Sequence, residues 1–143
     1  MSLAYFDTSA LVKNYVQEAG SARVRELVGA YDFVSSAIAP IELLSAVQRR
    51  YRQGEISRPN YNAIVSRIKT DRPFWQLVES VPQVLTKEEG VVVNRNVRIL
   101  DAIHLASALI IQQSFHTPFP FISADERQLD AARRCKLQTI AVT

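Results

Sequence analysis

Residues 3–9 of the chain are Leu3-Ala4-Tyr5-Phe6-Asp7-Thr8-Ser9. Four apolar residues in a row, followed at once by polar ones, are typical of a buried strand that ends where a helix begins. Asp7 therefore falls at the carboxyl end of the first strand, where a carboxylate destabilises the fold unless it is hydrated or paired. The same pattern returns late in the chain, where a strand predicted at Phe119–Ile122 is followed by Ser123-Ala124-Asp125.

Outward from these two stretches, strand and helix patterns alternate along the chain. This alternation predicts an α/β domain in which helices cover a parallel sheet. Such sheets bind ligands beyond the carboxyl ends of their strands, so Asp7 and Asp125 should open into one crevice. The other predicted strands are Phe33–Ser36, Phe74–Ser80 and Thr139–Val142, and the predicted helices are Leu11–Val16, a stretch after Ser21, Pro40 to Gly54, a helix capped by Ser57, Val84–Val93, Ile99–Gln113 and a helix after Asp125.

Length and composition predict one soluble domain that spans residues 1–143. The chain has 143 residues, of which 48% are apolar, and its longest apolar runs are too short to cross a membrane. The first residues lack the basic region of an export signal, and the single Cys135 favours a reducing compartment, so we expect a cytoplasmic location. A net charge of +3 mildly favours a polyanionic partner.

Four acidic residues stand out: Asp7, Glu42, Asp101 and Asp125. Glu42 lies in the first turn of the helix that begins at Pro40, and Asp101 interrupts an otherwise apolar helix. Carboxylates that are brought together repel one another unless a cation binds between them. An all-oxygen site suits Mg²⁺ or Mn²⁺, whereas two histidines and one cysteine give little support to a zinc site.

The motifs around these acids resemble a known family when they are taken together. Each is weak alone, but they follow in order over essentially the whole chain. The chain resembles the PIN domain and, more narrowly, the VapC-type toxins of bacterial and archaeal toxin-antitoxin pairs. The motifs are Asp7-Thr8-Ser9-Ala10-Leu11-Val12, Ile41-Glu42-Leu43-Leu44, Leu100-Asp101-Ala102-Ile103-His104-Leu105-Ala106 and Ser123-Ala124-Asp125.

The resemblance implies a fold, an activity and partners. The fold would be a three-layer α/β/α sandwich around a five-stranded parallel sheet. The activity would be metal-dependent hydrolysis of RNA phosphodiester bonds by an endoribonuclease. Members of the family commonly form homodimers and bind a VapB-type antitoxin protein, which inserts a segment across the cleft.

The resemblance also assigns residues. Asp7, Glu42, Asp101 and Asp125 would bind Mg²⁺ or Mn²⁺, with Ser9 at the small polar position beside the first acid. Ser123 matches the Ser/Thr position before the last acid, and many relatives have Asn where this chain has Ala124.

Specific roles can be expected for the acids. Asp7 and Asp125 would ligate the metal directly, because strand ends are rigid supports, and Asp101 would do so directly or through water. Glu42 is the candidate to orient or deprotonate the attacking water. Thr8 and Ser9 would shape the turn, cap the helix and hold a metal-bound water.

Simpler interpretations exist for the same residues. Asp7 could only cap a helix, and Asp101 and Glu42 could only be favourable partners of helix dipoles. His104 is expected to be a hydrogen-bonded structural residue or to face a dimer interface. Several arginines could contact RNA or simply form a solvated helix face: Arg49, Arg50, Arg52, Arg95, Arg98, Arg127 and Arg133.

Two alternative functions follow from these interpretations. The chain could be a catalytically inactive PIN-like module that binds RNA or an antitoxin. A phosphohydrolase that forms an aspartyl phosphate also begins with an aspartate after its first strand, but Thr8 and Ser9 do not supply the second acid that it needs.

Overall fold

A computed structural model describes residues 2–79, 86–87 and 98–143. Its described strands form one sheet in the order β3-β2-β1-β4-β5, and every neighbouring pair is parallel. The predicted α/β fold with a five-stranded parallel sheet is confirmed. The strands are β1 (Leu3–Phe6), β2 (Asp32–Ser36), β3 (Gln76–Val78), β4 (Pro120–Ser123) and β5 (Gln138–Ala141).

The helices fall close to the predicted segments. They are α1 (Thr8–Leu11), α2 (Ser21–Ala30), α3 (Ala39–Arg52), α4 (Arg58–Asp71), α5 (Ile99–Phe115) and α6 (Glu126–Arg134), with short 3₁₀ turns at Val12–Asn14 and Arg72–Phe74. The predicted helix Val84–Val93 lies outside the described residues except for Thr86 and Lys87. Among the described helices, none has both the length and the hydropathy that crossing a bilayer requires.

Strand β3 is shorter than the predicted segment Phe74–Ser80. Proline has a fixed φ and no backbone N–H, and Pro73 directs the chain from α4 into a 3₁₀ turn. The Trp75 N–H closes that turn by donating to the Arg72 carbonyl at 3.1 Å. Phe74 is therefore outside the sheet and 85% exposed.

Both faces of the sheet are covered by helices. On β1, Tyr5 packs on one face with Leu105 of α5, whereas Ala4 and Phe6 pack on the other face with Val24 of α2. This alternation follows from the two-residue period of a strand. The result is the predicted three-layer α/β/α sandwich.

Helices α3 and α4 form a further packed unit beside the sheet. The Ser57 hydroxyl caps α4 as predicted, by accepting from the Asn60 N–H at 3.3 Å. Tyr51 stacks on Tyr61 with ring centroids 4.5 Å apart. On α3, Leu43 is fully buried in the cluster that also contains Leu11 of α1, which fixes the helix turn that carries Glu42.

We predict that Leu43→Ala lowers the free energy of unfolding by about 2–5 kcal/mol, because it leaves a cavity in this cluster. Ile41→Ala is the matched control, since Ile41 lies on the other side of Glu42 and is 71% exposed. That control should change stability by about 0.5 kcal/mol or less. Urea denaturation of both variants measures the difference, and equal losses would contradict the packing described above.

Candidate active site

The candidate site lies where the order of the strands reverses. β1 and β4 are adjacent in the middle of the sheet, and the chain proceeds outward from them in opposite directions. Such a reversal opens a crevice at the carboxyl ends of the strands. Asp7 follows β1 and Asp125 follows β4, so both acids are placed at this crevice. The Asp7 N–H continues the pairing of the two strands by donating to the Ile122 carbonyl at 3.0 Å.

Two serines hold the Asp7 carboxylate. Ser9 Oγ donates to Oδ1 at 2.6 Å, and Ser123 Oγ donates to Oδ2 at 2.7 Å. Each hydroxyl in turn accepts a backbone N–H, from Ala124 to Ser9 and from Asp125 to Ser123, both at 3.0 Å. The backbone of the β4–α6 turn therefore fixes the orientation of a carboxylate on the neighbouring strand.

Asp7 is nonetheless an unfavourable place for a negative charge. Burial raises the pKa of this carboxyl, and it prevails over the lowering effects of His104 and of the hydrogen bonds from Ser9 and Ser123. Only 4% of the residue is exposed to solvent. A nearby cation would stabilise the ionised form.

Glu42 lies in a different environment. Its Oε1 atom accepts from Thr8 Oγ1 at 2.7 Å and is 2.7 Å from His104 Nε2. On the other side of the imidazole ring, Nδ1 is 2.8 Å from the Tyr5 hydroxyl. Partial burial raises the pKa of Glu42, but the interactions with His104 and the Thr8 hydroxyl outweigh it and leave a lowered pKa. Glu42 is thus held in its ionised form.

Asp101 links the acids into one cluster. Its pKa is raised first by burial and then by repulsion from Asp125, Asp7 and Glu42. Asp101 therefore interacts electrostatically with the other three acids, although the four come from the end of β1, α3, α5 and the turn after β4. Gln128 of α6 donates to the Asp101 carbonyl at 2.9 Å and ties the two helices together at this point.

Helix capping uses only part of these carboxylates. Asp7 Oδ1 caps α1 by accepting the Ala10 N–H at 3.2 Å, and Asp125 Oδ1 caps α6 by accepting the Arg127 N–H at 2.9 Å. Asp7 therefore does cap a helix, but the cap accounts for only one of the contacts of its carboxylate. Within the described part of the chain, Glu42 Oε2, Asp125 Oδ2 and both carboxylate oxygens of Asp101 accept no hydrogen bond. No described residue therefore competes with a cation or water for these oxygens.

The donor set fits a hard divalent cation. Its unoccupied atoms are all carboxylate oxygens, and burial together with like-charge repulsion raises the pKa of Asp101. Over residues 2–79, 86–87 and 98–143, no three His, Cys, Asp or Glu side chains are close enough to form a ready cage for an ion. Mg²⁺ characteristically keeps several waters and uses one or two carboxylates, so these residues suit a hydrated ion.

Of the four acids, Glu42 lines a cleft of about 370 Å³. Thr8, Ser9 and Ala124 line the same cleft, and so do Glu18 and the basic residues Lys13, Arg49 and Arg50. Lys13 and Arg50 both form ion pairs with Glu18, and Arg50 also pairs with Glu55. The cleft thus places one acid of the cluster beside three basic side chains.

Sequence reasoning missed part of this arrangement. It did not identify Tyr5, Lys13 or Glu18 as neighbours of the site. His104 is expected from the sequence either to be a hydrogen-bonded structural residue or to face a dimer interface. In the structure it is hydrogen-bonded, and its exposure of 2% does not fit a residue that faces an interface. One available signal was its position three residues after Asp101, which places both side chains on one side of α5.

The sequence matches the family model for the PIN domain over residues 4–134. The chain belongs to the PIN domain family. PIN domains are generally nucleases, and they generally use divalent metals. The resemblance seen in the four motifs is therefore confirmed at the level of the family.

Solved structures with the same fold have low sequence identity to this PIN domain. A toxin-antitoxin complex from Klebsiella pneumoniae matches with a TM-score of 0.65 and 13% identity, covering 88% of this chain and 89% of that one. FitAcB from Neisseria gonorrhoeae matches with a TM-score of 0.71 and 15% sequence identity, and the match covers 96% of each chain. PAE2754 from Pyrobaculum aerophilum matches with a TM-score of 0.69 and 18% sequence identity, covering 99% of this chain and 90% of that one. No curated protein sequence matches the chain.

We predict that Asp101→Asn stabilises the metal-free protein at pH 7 by about 1 kcal/mol, roughly one carboxylate repulsion in a water-like dielectric. Because the pKa is raised in the folded state, the destabilisation develops as the pH rises above the ordinary value of 3.8 and is complete above the folded-state pKa. The gain should therefore shrink as the pH falls toward 4 and the wild-type carboxyl becomes protonated.

Glu26→Gln serves as the control, since Glu26 is an exposed carboxylate on α2, away from the cluster. Its effect should stay within about 0.5 kcal/mol. Urea titrations between pH 4 and 7 in EDTA test the prediction. A destabilised Asp101→Asn at pH 7 would show that the carboxylates do not repel one another in the folded protein.

Proposed function

We propose that this PIN domain is a metal-dependent endoribonuclease that hydrolyses RNA phosphodiester bonds with Mg²⁺ or Mn²⁺, and that it is the toxin of a VapBC-type toxin-antitoxin pair. The observation that carries the nuclease proposal is the electrostatic coupling of Asp101 to Asp7, Glu42 and Asp125 at the sheet crevice. The choice of RNA over DNA rests on the resemblance to VapC-type toxins.

The carboxylates would divide the work. Asp101 and Asp125 have free oxygens and would hold the ion, while Asp7, clamped by two serines, would add charge and a remaining lone pair. Bound ions would polarise the phosphate and lower the pKa of a coordinated water. Glu42 is ionised, and its Oε2, which no described residue binds, would help to hold the hydrated ion, orient the attacking water and accept its proton.

The basic end of the cleft would bind the RNA backbone. Arg49 is exposed, and within the described residues it forms no ion pair. Lys13 and Arg50 both pair with Glu18, and Arg50 Nε also lies 3.9 Å from Glu55, so among the described residues Arg49 is the cation of this cleft that has no acidic partner. Phosphates placed along these residues would lie in the same cleft as Thr8 and Glu42.

Two apolar surfaces would bind the proposed protein partners. A cavity of about 520 Å³ is lined by Tyr15, Phe33, Phe74 and Trp75 with other residues, and it would accept an apolar segment of an antitoxin. One similar structure is itself a toxin-antitoxin complex. Exposed Ile41, Ile99 and Leu100 would suit a second copy of the chain in the proposed homodimer.

We predict that the wild-type protein cleaves RNA only when Mg²⁺ or Mn²⁺ is added, and that Asp101→Asn abolishes cleavage because it removes the freest carboxylate. Glu26→Gln should cleave as the wild type does. Mn²⁺ at about 100 times its dissociation constant should stabilise the wild type by about 2.7 kcal/mol. Gel analysis of RNA fragments and melting curves measure both effects.

The inactive binding module remains the rival candidate, because the described carboxylates do not form a ready cage. In that case the wild type and the Asp101→Asn variant would bind RNA equally well, and neither would melt at a higher temperature with Mn²⁺. Metal-stimulated cleavage that disappears in Asp101→Asn excludes the binding module, and metal-independent RNA binding without cleavage would favour it.

We further predict that Arg49→Gln weakens RNA binding several-fold at low salt, because it removes one phosphate contact. The slope of log affinity against log salt should fall in magnitude by about 0.7, the value for one phosphate of a single strand. Arg23→Gln is the control, since Arg23 lies on α2 and pairs with Glu26. Titration of Asp101→Asn protein with labelled RNA measures binding without cleavage. Equal slopes for Arg49→Gln and Arg23→Gln would show that Arg49 does not contact an RNA phosphate.

A further inference from the structure

We infer that His104 is a positioning residue for Glu42: its ring is fixed by Tyr5 on one side and holds one Glu42 oxygen on the other, which leaves the second oxygen free for the reaction. This inference rests on the proposed nuclease function. It deepens that function, since the four acids alone do not explain how Glu42 stays in place.

The geometry restrains the imidazole ring from both sides. His104 Nδ1 is 2.8 Å from the Tyr5 hydroxyl, and Nε2 is 2.7 Å from Glu42 Oε1 and 3.1 Å from Thr8 Oγ1. Tyr5 is fully buried on the central strand β1, and His104 is 2% exposed on α5. Rotation of the ring would break bonds to both partners at once.

The hydrogen-bond partners also limit which atoms can donate a proton. Burial raises the pKa of Tyr5 well above its ordinary value, so its hydroxyl keeps a proton that it can donate to Nδ1. Whichever atom donates in the contact with Tyr5, Nε2 can donate to Glu42 Oε1, because that carboxylate oxygen can only accept. Thr8 donates to the same Oε1 atom, so two donors hold Oε1 and none among the described residues holds Oε2.

The hydrogen bonds to Glu42 oppose the repulsion between its carboxylate and that of Asp101. Asp101 and Glu42 interact unfavourably, and a glutamate in the first turn of a helix has rotamers that would carry its carboxylate away from Asp101. The bonds from His104 and Thr8 keep the carboxylate at the crevice. Such supporting contacts around metal-binding carboxylates typically change metal affinity or activity by about 10–100-fold when they are removed.

The test compares His104→Phe, which keeps a ring but no donor, with His104→Gln, whose amide can donate near the position of Nε2. His104→Phe should weaken Mn²⁺ binding by about 10–100-fold and lower kcat for RNA, with KM little changed. His104→Gln should recover most of both. Calorimetry measures Mn²⁺ affinity, steady-state cleavage gives kcat and KM, and melting in EDTA verifies the fold.

Ser114→Ala is the control on the same helix. The Ser114 hydroxyl donates to the Ile110 carbonyl at 3.0 Å, so it bonds within α5 and has no part in the link to Glu42. The variant should leave Mn²⁺ affinity, kcat and KM unchanged. In a Glu42→Gln background, His104→Phe should add little further loss, because His104 acts through the Glu42 carboxylate.

Three results would overturn the inference: wild-type Mn²⁺ affinity and kcat in His104→Phe, an equal loss in His104→Gln, or an undiminished loss in the Glu42→Gln background. If His104→Phe does not fold, Tyr5→Phe is the test variant. Weaker Mn²⁺ binding than in Ser114→Ala would support the inference, and equal binding would contradict it.

A wild type that binds Mn²⁺ without cleaving RNA would contradict the nuclease proposal, while the Mn²⁺ affinities of the variants would still test the role of His104. A wild type that neither binds Mn²⁺ nor cleaves RNA defeats both.

Discussion

The parallel pairing of β1 with β4 is the interaction on which the rest of the structure depends. Tyr5 is in register with Phe121, and Phe6 with Ile122, so the two strands end side by side. The pairing runs one residue further, because the Asp7 N–H donates to the Ile122 carbonyl. A shift of this register by one residue would turn Tyr5 to the opposite face of the sheet and separate Asp7 from Ser123, the last residue of β4. Core packing and the acidic crevice are therefore set by the same few hydrogen bonds.

The crevice concentrates unfavourable charge and gives each acid a different environment. Burial raises the pKa of Asp7, which lies between two hydroxyl donors, and burial with repulsion from the other acids raises the pKa of Asp101. Glu42 has a lowered pKa because His104 and Thr8 bind it. Groups whose environments push their pKa values apart are characteristic of sites that divide chemical roles. The stability lost here is offset by the buried clusters on both faces of the sheet.

Local sequence patterns could predict the elements and the four acids, because strand ends and helix first turns are short-range features. They placed Asp7 and Asp125 at the crevice and Ser57 at a helix start. The limit of strand β3 was missed because Pro73 acts through a turn that hydrophobic spacing does not detect. The relay from Tyr5 through His104 to Glu42 could not be predicted, since its bonds join residues 99 and 62 positions apart. Only the folded sheet and α5 bring these side chains together.

Ala124 takes part in the site through its backbone. The resemblance to PIN domains leads to the expectation of Asn at this position, and an alanine side chain cannot make the hydrogen bonds of that amide. Here the backbone N–H of Ala124 donates to Ser9 Oγ, and Ser9 donates onward to Asp7. The methyl group instead packs with the apolar cluster on one face of the sheet. Because a backbone group begins the relay, the orientation of Asp7 depends on the path of the chain after β4 and not on the side chain at position 124.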